Sequence, residues 1–287
     1  MTFWCLGDCY SGDAFTSVDT GLMVPPLFHR LIAANSSIIR LKTATDQHKN
    51  TEGIPLKCVL INGTEIKGCT YHIKELFLDE LQADELQEFT LPKDGPDFCT
   101  GCKQCFMVSE MKCPHRDKAE PIWQAMKEAD LIVFAYPVYC LRTPGQVKTL
   151  LDHFGVHWFA HRPDPIMFNK RAAIITQSIG APNGGAQKDV ATSMTWWGIS
   201  DIHKIGFGMM EGVIWDELSS GRRGDIEKKI RVFARKLQGP AKSRRSFKHR
   251  LFFAMCRKMQ KGMKKKLAAE GKPLTADLRH WMDQGWV

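Results

Sequence analysis

Leu131-Ile132-Val133-Phe134-Ala135-Tyr136-Pro137 is the stretch whose reading decides the fold. Six residues in a row are apolar or aromatic, and Pro137 stops the run. Side chains of a strand alternate between faces, so an unbroken apolar run needs cover on both faces. Working outward, Cys58-Val59-Leu60-Ile61 and Ala172 to Thr176 read the same way, and Leu86–Leu91 and His203–Met209 complete a set of five strands. Helical spacing fills the intervals. Thr70–Gln82 places Ile73, Leu76, Phe77 and Leu81 on one face. Further helices are expected over Glu120–Glu128, Gln146–Phe154, a segment ending at Trp196, and Ile226–Leu237. Buried strands separated by helices make a doubly wound α/β sandwich around a parallel sheet.

With the first strand near the centre, the expected order of the five strands is 2-1-3-4-5, the flavodoxin-like arrangement. Its switch point lies between the first and third strands, so a ligand is expected over the loops Gly63–Cys69 and Pro137–Gly145. The first loop, Asn62-Gly63-Thr64-Glu65-Ile66-Lys67-Gly68-Cys69-Thr70, leads from strand to helix. Backbone amides at the helix start, the hydroxyls of Thr64 and Thr70, and the charge of Lys67 make an anion site suited to a monophosphate. The loop carries neither a Gly-Lys-Ser/Thr ending nor G-x-G-x-x-G, and an ordinary β–α turn is the alternative. After Pro137, the amides of Val138, Tyr139 and Cys140 are candidates for the edge of a planar ring, with Tyr139 packed beside it. Gln177 to Gly185 supplies a third loop, with Ser178 and Gly180 in close backbone approach.

Between the second strand and the next helix lie Cys99, Cys102, Cys105 and Cys113, with Pro114 after the last. Four thiols within so short a span suit an iron–sulfur cluster. Structural zinc loops more often split their ligands into two pairs with a longer gap. Zinc, a disulfide pair and simple thiols remain alternatives to a cluster on spacing alone. The loop leaves the carboxyl end of the second strand and is expected at the same sheet edge as the ligand.

The 287 residues suffice for one domain with additions. Residues 1–55 show no sustained period and read as an extension with little structure, apart from a short helix near Leu27–Ile39. Residues 56–239 form the domain, with a cysteine-rich loop over 97–114, and 240–287 form a basic helical tail. That tail holds thirteen Lys/Arg against three Asp/Glu, while the net charge of the whole chain is +9. The rest is therefore close to neutral. Ser246 to Leu267 reads as a basic amphipathic helix. Docking of its apolar face onto the domain or a partner subunit is the plain expectation, and peripheral contact with an anionic membrane is the rival. Without a stacking platform or reading motif, nucleic acid is not expected as a partner. His153, His157 and His161 recur at helical spacing and are expected to line the substrate face or a subunit contact. No apolar run is long enough to cross a membrane and no secretory signal is read, so ten cysteines suggest reduced thiols or metal ligands in a cytoplasm.

Several segments together resemble the NADPH-dependent FMN reductase superfamily and, within it, the iron–sulfur flavoproteins. They are Val59-Leu60-Ile61-Asn62-Gly63-Thr64 through Thr70, the four cysteines, Ala129-Asp130-Leu131-Ile132-Val133, Pro137-Val138-Tyr139, Pro144, Lys148 and Asp152. Ala276-Asp277-Leu278-Arg279-His280-Trp281 with Gly285-Trp286 is similar to the end of longer members. The resemblance implies a flavodoxin-like fold, non-covalent FMN, NAD(P)H as donor, and a 4Fe–4S cluster on Cys99, Cys102, Cys105 and Cys113. It implies FMN contacts from Thr64, Lys67, Cys69, Thr70, Pro137, Val138, Tyr139, Cys140, Ser178 and Gly180. The phosphate loop departs from the family's G-S-P-R-K-N-G-N-T: it is one residue shorter, has Glu65 and Ile66 at the Pro-Arg positions, and has Cys69 for Asn. Asp152-His153 stands where the family has Asp-Arg. The expected activity is an FMN-dependent oxidoreductase serving a quinone, flavin or other small acceptor, with no side-chain catalyst demanded. An electron carrier facing a ferredoxin-like partner and a zinc-binding or cofactor-free module are the alternatives. A homodimer or homotetramer is expected.

Overall fold

The computed structural model describes residues 38–41, 55–210, 214–238 and 246–287. Its sheet has six strands: β1 (Ile38–Leu41), β2 (Lys57–Asn62), β3 (Glu85–Thr90), β4 (Leu131–Pro137), β5 (Arg171–Ser178) and β6 (Asp201–Gly208). The spatial order is β1-β3-β2-β4-β5-β6. β2 to β6 are all parallel, and taken alone they follow the expected 2-1-3-4-5 order. β1 was not anticipated. It lies antiparallel on β3, with Ile38 opposite Glu88 and Leu41 opposite Glu85. Ile38 and Ile39 are thus in a strand; the remainder of the helix expected over Leu27–Ile39 lies outside the described residues.

Every residue of β4 and β5 is buried, as a strand covered on both faces requires. Val59, Ile61, Ile132, Phe134, Tyr136, Ala172 and Ile174 point to one side. There they meet α3 (Arg116–Glu128), α4 (Gly145–His153) and α5 (Gly184–Trp197). Cys58, Leu60, Leu131, Val133, Ala135, Ala173 and Ile175 point to the other, against α1 (Cys69–Leu81) and α6 (Ser220–Arg235). Lys74 interrupts the apolar face of α1: its ammonium is buried and pairs with the buried Glu88 of β3 and with Glu75.

The basic tail is docked on the domain. In α7 (Phe247–Ala269), His249 Nε2 contacts the Ile199 carbonyl at 2.9 Å, and Gln260 Nε2 donates to the Ala160 carbonyl at 3.1 Å. Phe252 stacks on Trp196 at 5.0 Å. α8 (Ala276–Asp283) buries Leu278 and Trp281 completely, and Trp281 Nε1 donates to the His161 carbonyl at 2.7 Å. Phe159, Phe168, Cys256 and Trp281 form a third core shared by domain and tail.

The three histidines do not share a helix face. α4 ends at His153, and a 3-10 turn over Phe154–His157 follows. Gly155 is a weak helix former at the break. His157 stacks flat on Trp123 at 3.8 Å and is buried. Burial, then the nearby Arg162, lowers its pKa from 6.5 to about 3. The native imidazole stays neutral, whereas the unfolded chain takes up a proton below about 6.5. Stability is therefore complete above the unfolded value and falls as pH drops from there towards the folded value, by up to about 1.4 kcal/mol per pH unit. Thermal melts at about pH 7 and about pH 5 should show the decline. His157→Phe should flatten it.

Candidate functional site

β2 ends at Asn62, and the chain turns over β4 at Gly63, whose amide donates to the Ala135 carbonyl at 2.8 Å. A Cβ at position 63 would lie 2.5 Å from Tyr136 Cβ and 2.6 Å from Val147 Cγ2. Only glycine lets the loop sit this low on the sheet. Thr64 is buried, and its hydroxyl accepts from the Ile66 amide at 3.1 Å. α1 then begins at Cys69 behind Gly68, with no side chain capping it and no acidic residue in its first turn. An uncapped helix start offers amide donors and a positive dipole end to an anion.

Two buried polar atoms flank that helix start without a partner: Asn62 Oδ1 at the end of β2 and Gln177 Nε2 near the end of β5. Thr70 Oγ1 approaches Gln177 Oε1 at 3.4 Å, joining α1 to β5. Leaving a buried polar group unpaired costs on the order of 1–3 kcal/mol, and such groups are few in native proteins. Two at one switch point mark a place for a polar ligand.

The expected site residues divide. Thr64, Cys69, Thr70 and Pro137 are buried around the switch point. Burial raises the pKa of the Cys69 thiol, so it enters as a small neutral group. Lys67 is exposed, its ammonium 5.7 Å from the Tyr71 ring centre. The amides of Val138 and Tyr139 are engaged, donating to Gln177 O at 2.7 Å and Arg142 O at 3.0 Å. They are not the free ring-edge donors the sequence suggested. The Val138 bond extends the pairing of β4 with β5, and a tight two-residue turn explains the other: Cys140 (φ 49°) and Leu141 (φ 65°) are both left-handed, and Arg142 N returns the bond to Tyr139 O at 2.9 Å. Asp189 of α5 holds the turn through an Arg142 ion pair. Ser178 Oγ donates to Ala181 O at 2.5 Å. Gly180 has φ +67° and lies against Met210. Ile66, Tyr139, Leu141, Ile179 and Met210, all exposed, give the loops at this edge an apolar rim.

The four cysteines line one open hollow with Lys103, Phe106, His115 and His153. Gly101 and Lys103 take left-handed conformations between them, turning the loop into the short helix α2 (Gln104–Met107). Cys99 and Cys102 are exposed; Cys105 and Cys113 are half-buried. Burial and then the neighbouring Cys113 raise the Cys105 thiol; burial is also the largest cause for Cys113. Four thiols are the donor type and number of a thiolate-bound metal group, but they are spread around the hollow and not closed on one point. Among the described residues, no three potential ligands stand grouped to hold an ion.

Residues distant in sequence brace this loop. His153 Nε2 lies 2.8 Å from the Asp97 carbonyl, and Nδ1 lies 3.6 Å from Cys113 Sγ. A carbonyl only accepts, so Nε2 donates and Nδ1 is left to accept from the thiol. The buried Arg162 donates to the Cys105 carbonyl and pairs with Glu110 at 3.2 Å and Asp277 of α8 at 3.4 Å. His161 contacts the same Asp277 at 2.8 Å. The loop leaves the carboxyl end of β3 as expected, but its thiols gather at the last turn of α4. Gln146, in the first turn of α4, donates to the Gly63 carbonyl at 2.8 Å. From Gln146 to His153 the helix rises about 10 Å, so one rigid element ends in both sites.

A parallel five-strand sheet in this order, with a polar switch point, defines a flavodoxin-like α/β protein of the ligand-binding kind. The sequence pattern of the family described as NADPH-dependent FMN reductase matches residues 56–210, more than half of the chain. The chain belongs to that family and is an NAD(P)H-dependent flavin oxidoreductase. An iron-sulfur flavoprotein of Archaeoglobus fulgidus is 27% identical over 168 residues, covering 56% of this chain and 73% of the relative. One from Methanocaldococcus jannaschii is 25% identical, covering 53% of this chain and 78% of its own length. Among solved structures, an FMN-dependent NADH-azoreductase from Bacillus anthracis in complex with FMN superposes with a TM-score of 0.49 at 14% identity. The match covers 63% of this chain and 99% of the azoreductase.

Proposed function

We propose that the switch point holds FMN, and that the chain passes electrons from NAD(P)H or a reduced carrier to a quinone, a free flavin or another acceptor. The observation that carries this reading is the pair of unpaired buried atoms on Asn62 and Gln177 beside the uncapped start of α1. Thr64, Thr70 and the first-turn amides of α1 hold the phosphate, with Cys69 filling the space behind it. Pro137, Val138, Tyr139, Cys140, Ser178 and Gly180 bound the ring. Lys67 attracts the anion at longer range from its exposed position. Glu65 is exposed as well, so its repulsion of a phosphate is screened to about 1 kcal/mol at ~4 Å. Bound FMN supplies the transfer of electrons between a two-electron donor and one- or two-electron acceptors. The chain's residues position it and exclude water, and no side-chain acid or base is assigned.

A second reading has its own observation: four thiols facing one hollow, braced by His153 and Arg162. In this reading Cys99, Cys102, Cys105 and Cys113 ligate a 4Fe–4S cluster, and the protein relays single electrons to a ferredoxin-like partner. The two relatives described above are named iron-sulfur flavoproteins.

Anaerobic purification followed by absorbance, iron and acid-labile sulfide assays tests both readings. Flavin absorbance without iron, and its reduction by NADH or NADPH, is expected from the first alone. Iron and sulfide in equal amount, lost in Cys102→Ser, support the second. A colourless chain that gains no flavin absorbance on adding FMN overturns the first reading, and one that holds zinc in place of iron overturns the second.

A further inference from the structure

The docked helix α7 carries a second apolar face that the domain does not cover. Its inner face is set by His249, Cys256, Gln260 and Leu267, all buried. Phe247, Leu251, Met255, Met259 and Met263 follow at four-residue steps and remain 80%, 55%, 46%, 50% and 38% exposed. In a helix of 3.6 residues per turn such a row advances by only about 40° per step, so it forms a continuous stripe winding along the helix. Five unshielded large apolar side chains on one helix are more than the scattered singles of an ordinary surface.

The charge beside the stripe says what fits it. α7 contains eight Lys/Arg and no Asp or Glu between Phe247 and Ala269. Lys258, Lys261 and Lys265 are exposed on the same outward side, and no ion pair involves them among the described residues. The positive charge is therefore offered outward and not neutralised within the protein. A second copy of this helix would bring like charges together along the whole contact, which disfavours self-pairing. An anionic lipid surface meets both features: acyl chains for the stripe, headgroups for the lysines. Among the described residues no helix is long and apolar enough to cross a membrane, so the contact is with the interface. We propose that α7 docks this protein on an anionic membrane surface, with Phe247, Leu251, Met255, Met259 and Met263 inserted and Lys258, Lys261 and Lys265 on the headgroups.

Sedimentation of the full chain with two kinds of vesicle tests this. One is phosphatidylcholine alone and the other is phosphatidylcholine mixed with phosphatidylglycerol. Binding to the mixed vesicles is expected at low salt and should weaken as salt rises. The triple variant Lys258→Gln, Lys261→Gln, Lys265→Gln should bind on the order of 100-fold more weakly. The double variant Met255→Asp, Met259→Asp should lose binding while its thermal midpoint stays near that of the parent, since both positions face away from the domain. Equal binding to both vesicle types, or none to the mixed ones at low salt, overturns the proposal. So does undiminished binding by either variant. A dimer of the parent chain that the Met255→Asp, Met259→Asp pair splits would assign the stripe to a second copy instead.

Discussion

Trp281→Ala is expected to destabilise the protein by about 3–5 kcal/mol, the range for removing a fully buried indole. Trp281 has no exposed surface. It stacks on Phe253 at 5.1 Å, meets Trp286 edge-on at 5.1 Å, and donates to the His161 carbonyl. The neighbours come from α7, the chain end and the segment after α4, so no single element can collapse into the void. The effect should reach the cysteine loop. α8 also carries Asp277, which pairs with His161 and Arg162, and Arg162 holds the Cys105 carbonyl. A denaturant titration should therefore show a lower midpoint, and alkylation of the half-buried Cys105 should be faster under native conditions. An unchanged midpoint would mean that the tail is not part of the domain's core.

Lys74→Met should cost a similar amount, about 3–5 kcal/mol, for a different reason. It leaves Glu88 as an unpaired carboxylate in a place where water does not reach, and breaking a buried pair from one side is far more costly than replacing both partners. Glu88 is 7% exposed and Lys74 2%. Adding Glu88→Leu to Lys74→Met should recover most of the loss. Chemical denaturation of the two single variants and the double one closes the cycle. A double variant as unstable as Lys74→Met alone would show that shape, not charge, sets the cost.

Much of this architecture is written locally. β4 announces itself because every position is apolar or close to it, β5 through the apolar run Ala172 to Ile175, and helical spacing is plain between them. β1 is not legible: Ile38-Ile39-Arg40-Leu41 is too short to show a period, and its partner Glu85–Glu88 lies more than forty residues on. The pairing of Lys74 with Glu88 is hidden for a related reason. A lysine within an amphipathic helix reads as solvent-facing, and only the approach of β3 gives it a buried partner. At the candidate sites the thiol spacing and the loop Asn62 to Thr70 carry clear signals. Asn62 and Gln177 do not, since ordinary polar residues at strand ends mean little until burial leaves their atoms unpaired. The braces of the cysteine loop are harder still. His153, Arg162 and Asp277 act across 40, 57 and 116 residues of chain, and no local pattern encodes that. The loop after Pro137 misleads because Cys140 and Leu141 adopt a conformation usually given to glycine or asparagine, which turns the Tyr139 amide onto Arg142, while the Val138 amide is taken by the neighbouring strand β5.

The length of α4 is a gauge between two places. Its first turn fixes the Gly63 carbonyl and its last residue fixes Cys113. One inserted residue would rotate His153 by about 100° and push it along by about 1.5 Å, out of phase with the thiol while Gln146 stayed in place. The exposed positions of this helix can vary in character, but its buried face of Val147, Leu150 and Leu151 and its count of residues cannot. Two pockets that look separate on the surface are held to a common register, and neither can drift without the other.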